Sequence, residues 1–177
     1  MNPLDIINKY CTSEKQRQIL LVHSRAVANK ALEIVRRHPE WNADEWFVEE
    51  AALLHDIGIT KVNAPAIECH GAEPYICHGI LGAEILRNEG LENHALVCER
   101  HTGTGLTLQQ IVEQGLPLPQ RDMQPISLEE QIICFADKFF SKTRLDTEKT
   151  IEQARHSLEE FGSNGLEKFD KWCEMFL

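Results

Sequence analysis

The stretch that decides the fold is residues 53–58, which read LLHDIG. An apolar helical pattern that begins near Phe47 leads into it, and Gly58 is a typical helix terminator. The sequence therefore predicts that His55 and Asp56 lie side by side at the end of a buried helix. Because successive residues of a helix point about 100° apart, one of these side chains can reach a metal ion while the other approaches it from the side.

Helical patterns also account for the rest of the chain, and no alternating pattern of strand length is present. Serine residues followed three positions later by glutamine or glutamate form helix-capping signals within 12–16 and 127–130, and Asn42 begins a similar one. The helix that opens at the signal within 127–130 is predicted to run to about Lys142. Asp146 is predicted to cap the helix that follows.

Composition narrows the class of protein. The 177 residues are 42% hydrophobic and 26% charged, as in ordinary globular proteins. The formal net charge of −10 argues against non-specific binding of DNA or RNA, which requires a basic surface. No run of about 18 apolar residues is present, and residues 1–10 lack the features of a signal peptide. We therefore expect no membrane association and a cytoplasmic location, and six scattered cysteines without a C-x-x-C pair agree with that location.

Four further residues are candidates to join the pair at 55–56, and they are His23, His78, His101 and Asp137. His23 lies on the apolar side of a long predicted helix, and Asp137 ends the apolar run 132–136. Taken singly, each of these residues could have a purely structural role. A single histidine on an apolar helix face, for example, is usually a core residue whose hydrogen bonds are satisfied. A buried carboxylate nevertheless needs a partner or a metal ion. Three or four histidine and aspartate ligands with open positions describe a catalytic metal site.

The order of His23, the pair at 55–56 and Asp137 resembles the H…HD…D signature of the HD superfamily of metal-dependent phosphohydrolases. Residues 55–58 match the HDIG form of that signature letter for letter. The resemblance covers roughly 20–145, which is most of the chain.

Three further segments are similar to motifs of the HD proteins that bind two metals, which include the HD-GYP phosphodiesterases and the HD-class hydrolases of symmetrical dinucleoside tetraphosphates. Residues 78–84 (HGILGAE) and 99–103 (ERHTG) resemble their extra histidine motifs, and 135–138 (FADK) resembles their closing ADK or ADR motif. After His101 the chain reads TGTG and lacks a GYP element. This departure disfavours a cyclic dinucleotide as the substrate.

The resemblance implies an all-α, single-domain helical bundle of the HD type over 1–177, in which helices in 146–177 complete the core. It also implies a set of metal ligands. The first ion would be bound by His23, His55, Asp56 and Asp137, and Asp56 would bridge to a second ion held by His78 and His101.

Nitrogen and carboxylate ligands without thiolates suit iron, manganese, zinc, cobalt or nickel. The expected cofactor is therefore one or two of these divalent ions, with iron favoured. The expected reaction is hydrolysis of a phosphomonoester or phosphodiester by a metal-activated water. Asp56 would act together with cationic side chains that stabilise the phosphate charge. Lys138 is the first candidate for such a cation, followed by Lys61 and Arg25.

The expected substrate is a nucleotide or another small phosphorylated metabolite, because an acidic chain repels long polyanions such as DNA or RNA. Two other classes of function remain open, a non-catalytic regulatory module that binds a metal or a nucleotide and a diiron oxygenase-type oxidoreductase. The oligomeric state is open as well. The stripe of Phe169, Trp172 and Phe176 either closes the core, which is favoured, or forms the face of a homodimer.

Overall fold

The structure, a computed structural model, describes residues 2–145 and 147–177, and these residues form nine α-helices joined by turns. In chain order the helices are α1 (Pro3–Tyr10), α2 (Glu14–Arg37), α3 (Glu45–Leu54), α4 (His78–Asn88), α5 (Glu92–Arg100), α6 (Leu108–Glu113), α7 (Leu128–Asp137), α8 (Ile151–His156) and α9 (Ser163–Phe176). The one sheet in this part of the chain pairs two antiparallel strands, β1 (Asn63–Ala64) and β2 (Cys69–His70). The prediction of an all-α fold is confirmed. None of the helices so described is both long enough and apolar enough to cross a membrane.

The longest helix, α2, is the element on which the others assemble. It is capped as the sequence predicts. The Ser13 hydroxyl accepts a hydrogen bond from the Gln16 N–H at 3.1 Å, and the Gln16 side-chain oxygen accepts one from the Thr12 N–H at 2.9 Å. The helix packs against α3 and α7 along much of its length. This packing buries His23 near its middle.

The largest apolar cluster lies between α2, α3, α7, α8 and α9. The ring of Phe135 contacts the rings of Phe139, Phe169 and Phe176 at centroid distances of 5.0, 5.4 and 5.3 Å. The apolar stripe of α9 therefore packs in the core and is not an exposed face. Burial of an aromatic or aliphatic side chain of this size contributes about 1.5–3 kcal/mol to stability. A second apolar cluster joins α1, α4, α5 and the turn after α3.

Two helix boundaries differ from the sequence prediction. Asn42 does not cap α3, because it adopts a left-handed conformation (φ 50°) at the end of a short 3₁₀ turn. Asp44 is the cap, and its carboxylate accepts a hydrogen bond from the Phe47 N–H at 3.0 Å. Helix α7 ends at Asp137 instead of near Lys142, so that the residues after 137 form turns.

Asp146, which the sequence predicts to be a helix cap, lies outside the described residues. Helix α8 begins at Ile151, and the Thr150 hydroxyl caps it by accepting a hydrogen bond from the Gln153 N–H at 3.2 Å.

Gly58 has a different role from the helix terminator that the sequence predicts. It lies within a 3₁₀ turn (Ile57–Lys61) that packs against α4. A Cβ atom at this position would lie 1.9 Å from the His78 carbonyl oxygen and 2.4 Å from the Gly82 nitrogen. Only glycine allows the two backbones to approach this closely. The contact therefore sets how near the turn that carries Asp56 lies to the start of α4.

Candidate metal centre

Six side chains, five of them buried and that of Asp137 partly exposed, converge at one point of the bundle, because the helices that carry them end or cross there. His23 comes from the middle of α2, His55 and Asp56 follow α3, His78 begins α4, His101 follows α5, and Asp137 ends α7. These are the six ligand candidates that the sequence predicts. Their nitrogen and oxygen atoms form two groups, within each of which all the atoms lie within 4.8 Å of one another, and Asp56 belongs to both.

The first group contains His23, His55, Asp56 and Asp137. The Nε2 atoms of His23 and His55 lie 3.0 and 3.1 Å from Asp56 Oδ2. The same two nitrogens lie 3.1 and 3.4 Å from Asp137 Oδ1. Two ligand atoms that each bind one ion at ~2.1 Å are separated by ~3.0 Å in octahedral geometry and ~3.4 Å in tetrahedral geometry. The observed separations therefore suit a shared ion.

The second group is formed by the other oxygen of Asp56 and two histidines. Asp56 Oδ1 lies 3.6 Å from His78 Nε2 and 3.4 Å from His101 Nε2. The two Nε2 atoms are 3.0 Å apart. Asp56 thus presents one carboxylate oxygen to each group, as a carboxylate that bridges two ions does.

Backbone contacts fix the tautomer of three of these histidines. The Nδ1 atoms of His55, His78 and His101 lie 2.6, 2.8 and 2.7 Å from carbonyl oxygens three residues earlier in the chain. A carbonyl oxygen can only accept a hydrogen bond, so each Nδ1 carries a proton, and each ring in its neutral form has its lone pair on Nε2. Such outer contacts orient the histidine ligands of metal sites. All three lone pairs point into the cluster.

Three buried polar atoms at the centre of the cluster are left without hydrogen bonds, and this observation tests whether a metal fits. His55 Nε2 and both Asp56 oxygens have polar neighbours at 2.6–3.6 Å, yet none of these contacts has hydrogen-bond geometry. Buried polar atoms without partners are rare and costly. Here their lone pairs point at common positions, and a divalent cation would satisfy all of them. The residues therefore fit one or two metal ions.

Charges within the cluster shift the pKa values of its members in different directions. Burial would raise the pKa of the Asp56 carboxyl, but Lys142 and His55 outweigh it and hold that pKa well below its usual range. Burial would lower the pKa of His55, but while no cation is bound the charges of Asp56 and Asp137 raise it to about 9, so the His55 Nε2 carries a proton that a metal ion would displace. Burial and the neighbouring His101 lower the pKa of His78 to about 3, so His78 stays a neutral ring with a free lone pair.

Of the cationic candidates that the sequence indicates, the structure brings one to the cluster. Lys138 Nζ lies 2.8 Å from Asp137 Oδ2 and donates to the His101 carbonyl oxygen at 2.9 Å. Arg25 is on the outer face of α2, where it pairs with Glu49 at 2.7 Å. Lys61 is exposed and lines a separate surface cavity. Neither Arg25 nor Lys61 reaches the cluster in this structure.

Sequence reasoning missed Lys142, although its ammonium is closest to the cluster. Lys142 Nζ lies 2.6 Å from Asp56 Oδ2. Burial alone would lower the pKa of this lysine, but the Asp56 charge outweighs it and raises the pKa. The sequence did hold a signal, because three lysines occur within 138–149, immediately after the predicted ligand Asp137.

A cavity of about 410 Å³ opens beside the cluster. Its walls include His78, His101 and Asp137 at the cluster and the side chains of Lys138, Lys142 and Lys149. Apolar residues such as Phe140, Leu158 and Phe161 form much of the remaining wall. A small anion in this cavity would contact both the ligand cluster and the lysines.

Comparison with known families agrees with this geometry. The family model described as HD domain matches residues 20–141. The chain belongs to the HD-domain family. HD domains bind divalent metals, and the family is one of metal-dependent phosphohydrolases. The prediction made from the order of the histidine and aspartate motifs is therefore confirmed at the level of the family.

Several proteins are similar to this HD domain in sequence. An uncharacterized protein of Methanocaldococcus jannaschii is 34% identical over 154 residues, which are 85% of this chain and 80% of that protein. Two proteins named tRNA (cytidine(56)-2'-O)-methyltransferase also match. The one from Thermoplasma volcanium is 31% identical over 96% of this chain and 45% of its own length. The one from Picrophilus torridus is 34% identical over 75% of this chain and 35% of its own length. The chain thus spans less than half of either methyltransferase.

Solved structures share the fold. The HD domain of the Listeria monocytogenes phosphodiesterase PgpH in complex with cyclic-di-AMP superimposes with a TM-score of 0.56 and 18% sequence identity, over 96% of this chain and 92% of that chain. A second structure of the same domain superimposes with a TM-score of 0.55 and 19% sequence identity, over 94% of this chain and 92% of that chain. At this level of identity the likeness shows a common fold.

Proposed function

We propose that this HD domain is an enzyme that uses one or two divalent metal ions to hydrolyse a phosphoester in a small metabolite, a nucleotide in the first place. One observation carries the proposal. Two groups of histidine and aspartate atoms share Asp56, whose own oxygens have no hydrogen bond, and they border a cavity that is also lined by three lysines. Metal ligands beside a cationic cavity are the arrangement that phosphate hydrolysis requires.

In this proposal the six clustered residues hold the ions, the first between His23, His55, Asp56 and Asp137 and the second between Asp56, His78 and His101. Bound ions of this type activate a water molecule and polarise a phosphoryl oxygen. The backbone contacts of three histidine Nδ1 atoms keep the ligand lone pairs oriented. Lys138, held by Asp137, and Lys142 place positive charge on the cavity wall. Phosphoryl transfer depends largely on such positioning and charge stabilisation.

The size and charge of the cavity support a small substrate. Its volume of about 410 Å³ lies in the lower part of the ~300–1,000 Å³ range of small-molecule sites. The net charge of −10 would repel DNA or RNA. The PgpH domain that shares the fold was solved with cyclic-di-AMP, which supports a nucleotide. The TGTG sequence after His101 and the small cavity favour a mononucleotide over a cyclic dinucleotide.

The methyltransferase names among the relatives do not support methyl transfer by this chain. The chain matches 45% and 35% of those proteins. A name given to the whole of a longer protein does not say which part performs the reaction. The histidine and aspartate cluster of this chain is suited to metal binding, so we assign it the hydrolytic function.

A metal count combined with a hydrolysis assay tests the proposal. The protein is purified without chelator, its metals are measured by elemental analysis, and the same sample is assayed with p-nitrophenyl phosphate and bis(p-nitrophenyl) phosphate. The first substrate reports a monoesterase and the second a diesterase. Nucleoside monophosphates and cyclic dinucleotides follow, with Asp56→Asn as the inactive control and oxygen consumption measured in parallel.

Two ions per chain and phosphate release that Asp56→Asn abolishes are the expected result. One ion with activity would keep the hydrolase but make His78 and His101 substrate contacts. Bound metal without hydrolysis would favour a regulatory module. Oxygen consumption by an iron-loaded sample without phosphate release would favour the oxygenase-type function.

A further inference from the structure

Three lysines line the cavity, and they differ in what their ammonium groups contact. Lys138 is held between the Asp137 carboxylate at 2.8 Å and the His101 carbonyl oxygen at 2.9 Å. Lys149 donates to the Ser157 hydroxyl at 3.3 Å. Lys142 instead pairs with Asp56, the carboxylate shared by both ligand groups. Its position is therefore tied to whatever else Asp56 binds.

The oxygen that Lys142 contacts is crowded. Asp56 Oδ2 has the Lys142 ammonium at 2.6 Å and the Nε2 atoms of His23 and His55 at 3.0 and 3.1 Å. A carboxylate oxygen offers two lone pairs. A divalent ion bound by the two histidines would use one of them and would place its own charge beside the ammonium. Like charges at this range repel strongly in a buried site, so the ion and the ammonium compete for Asp56.

Lys142 also has its ammonium within reach of the cavity. Its side chain lines the cavity, and its Nζ lies 5.9 Å from the centre of the Tyr75 ring, which also lines the cavity. The residue follows the end of α7 and lies in a turn, not on a rigid helix. A lysine side chain is long and flexible. A small rotation would carry the ammonium from Asp56 to an anion in the cavity.

We propose that Lys142 exchanges between two anionic partners, pairing with Asp56 when no metal competes for that carboxylate and binding the substrate phosphate once a metal does. The idea rests on the proposed function, since it requires a metal at Asp56 and a phosphate in the cavity. Lys142 then opposes metal binding and favours phosphate binding. Because coupling between two sites is reciprocal, phosphate in the cavity would help to retain the metal.

Two binding measurements on metal-depleted, full-length protein test this proposal. Calorimetric titration gives the affinity for Mn²⁺, and equilibrium dialysis with radiolabelled inorganic phosphate gives the phosphate affinity of Mn²⁺-saturated protein. The variants are Lys142→Met, which removes the charge, Lys142→Gln, which also keeps a polar group, and Lys142→Arg, which keeps the charge. Lys171→Met, at an exposed position of α9, is the matched control.

The two affinities should move in opposite directions. Lys142→Met and Lys142→Gln should bind Mn²⁺ about tenfold more tightly and phosphate about tenfold more weakly, within the usual range of site-to-site coupling. Lys142→Arg should keep most of the phosphate affinity, and Lys171→Met should match the wild type in both. General loss of structure would weaken both affinities together and could not produce this pattern.

Unchanged affinities, or a loss of both in each uncharged variant, would overturn the role of Lys142 and leave the proposed function intact. A wild-type protein that binds neither Mn²⁺ nor Fe²⁺, Zn²⁺, Co²⁺ or Ni²⁺ in the same titration would overturn the proposed function as well. The two failures are therefore distinguishable in one set of titrations.

Discussion

Two buried carboxylates lie near the end of α5, and their surroundings differ. Glu99, on α5 itself, accepts hydrogen bonds from Arg87 at 2.9 Å and from Arg121 at 2.7 and 3.0 Å. Asp56, which faces His101 just beyond that helix, has nitrogen atoms around it at 2.6–3.6 Å but no contact with hydrogen-bond geometry. Glu99 is satisfied by the protein. Asp56 has the Lys142 ammonium beside it but accepts no hydrogen bond, so its oxygens remain available to a metal ion.

The comparison separates a structural ion pair from a ligand site by geometry alone. A buried charge that is costly to desolvate is tolerated when hydrogen bonds satisfy it. Glu130 follows the same rule as Glu99, since it accepts bonds from Arg100 and from the Ile126 N–H. Buried nitrogen and oxygen atoms that converge without hydrogen-bond geometry are destabilising by themselves, so a cation bound at Asp56 should also stabilise the fold.

The largest expected effect is that of Asp56→Asn. This change keeps the volume of the side chain and removes the charge shared by the two ligand groups. We expect loss of bound metal and a fall in hydrolysis of about a thousandfold, equivalent to about 4 kcal/mol of transition-state stabilisation. Elemental analysis and the aryl phosphate assay measure the two losses.

Glu99→Gln is the matched control, because it neutralises the other buried carboxylate. It should keep metal content and activity, and should lower the free energy of unfolding by about 1–2 kcal/mol. The distinction between the two carboxylates would be wrong if Glu99→Gln lost its metal or if Asp56→Asn kept it.

Gly58→Ala should come next, because it forces apart the turn of Asp56 and helix α4. The new Cβ would meet the His78 carbonyl oxygen at 1.9 Å, and backbone atoms on both sides would have to move. We expect the free energy of unfolding, measured with urea, to fall by about 3 kcal/mol or more. Gly165→Ala is the control, since its Cβ would have its nearest contact at 3.4 Å and the position lies within α9. Equal stability of the two variants would contradict the close approach.

His101→Ala should give a smaller and more specific effect. It removes one ligand of the second group and none of the first. A chain that binds two ions should then bind one, with folding and the first ion retained, as elemental analysis would show. His94→Ala, which changes a histidine beside Glu50 outside the cluster, should keep both ions. Loss of both ions in His101→Ala would mean that the two groups do not bind metal independently.

The sequence predicted the fold class and the histidines and aspartates that the structure brings together, because the information that identifies them is local. His55 and Asp56 are adjacent, and His23 and Asp137 stand out as polar residues in apolar helical patterns. These signals can be recognised from the sequence alone, without knowledge of the tertiary structure. The role of the C-terminal stripe stayed open because core and interface residues have the same apolar pattern.

The cationic groups could not be predicted in the same way. Arg25 and Lys61 are close to the motifs in sequence, yet one pairs with Glu49 at the surface and the other is exposed. Lys142 is far from Asp56 in sequence, and helical propensity predicts that α7 continues to it. The helix ends at Asp137 instead. The turns that follow bring the ammonium back to Asp56, a tertiary ion pair that no local pattern encodes.

The smallest expected effect is a pH dependence confined to Glu99. Burial would raise the pKa of this carboxyl, but hydrogen bonds from Arg87 and Arg121 outweigh it and hold the pKa below its ordinary value of 4.5. The unfolded chain therefore takes up the proton first as the pH falls. The stabilisation by Glu99 is fully present above about pH 4.5 and is lost as the pH falls through the lower pKa of the folded state.

Glutamine does not titrate, so the difference in unfolding free energy between wild type and Glu99→Gln should be constant from pH 7 to about pH 5 and should shrink at more acidic pH. Urea unfolding of both proteins in chelator at several pH values measures it. Asp56 and Asp137 are present in both proteins, so their own titration cancels in the difference. A difference that stayed constant or grew in acid would mean that Glu99 is not held as a charged partner of the two arginines. Glu99 could then no longer serve as the example of a buried carboxylate that the protein itself satisfies, and the contrast with Asp56 would fail.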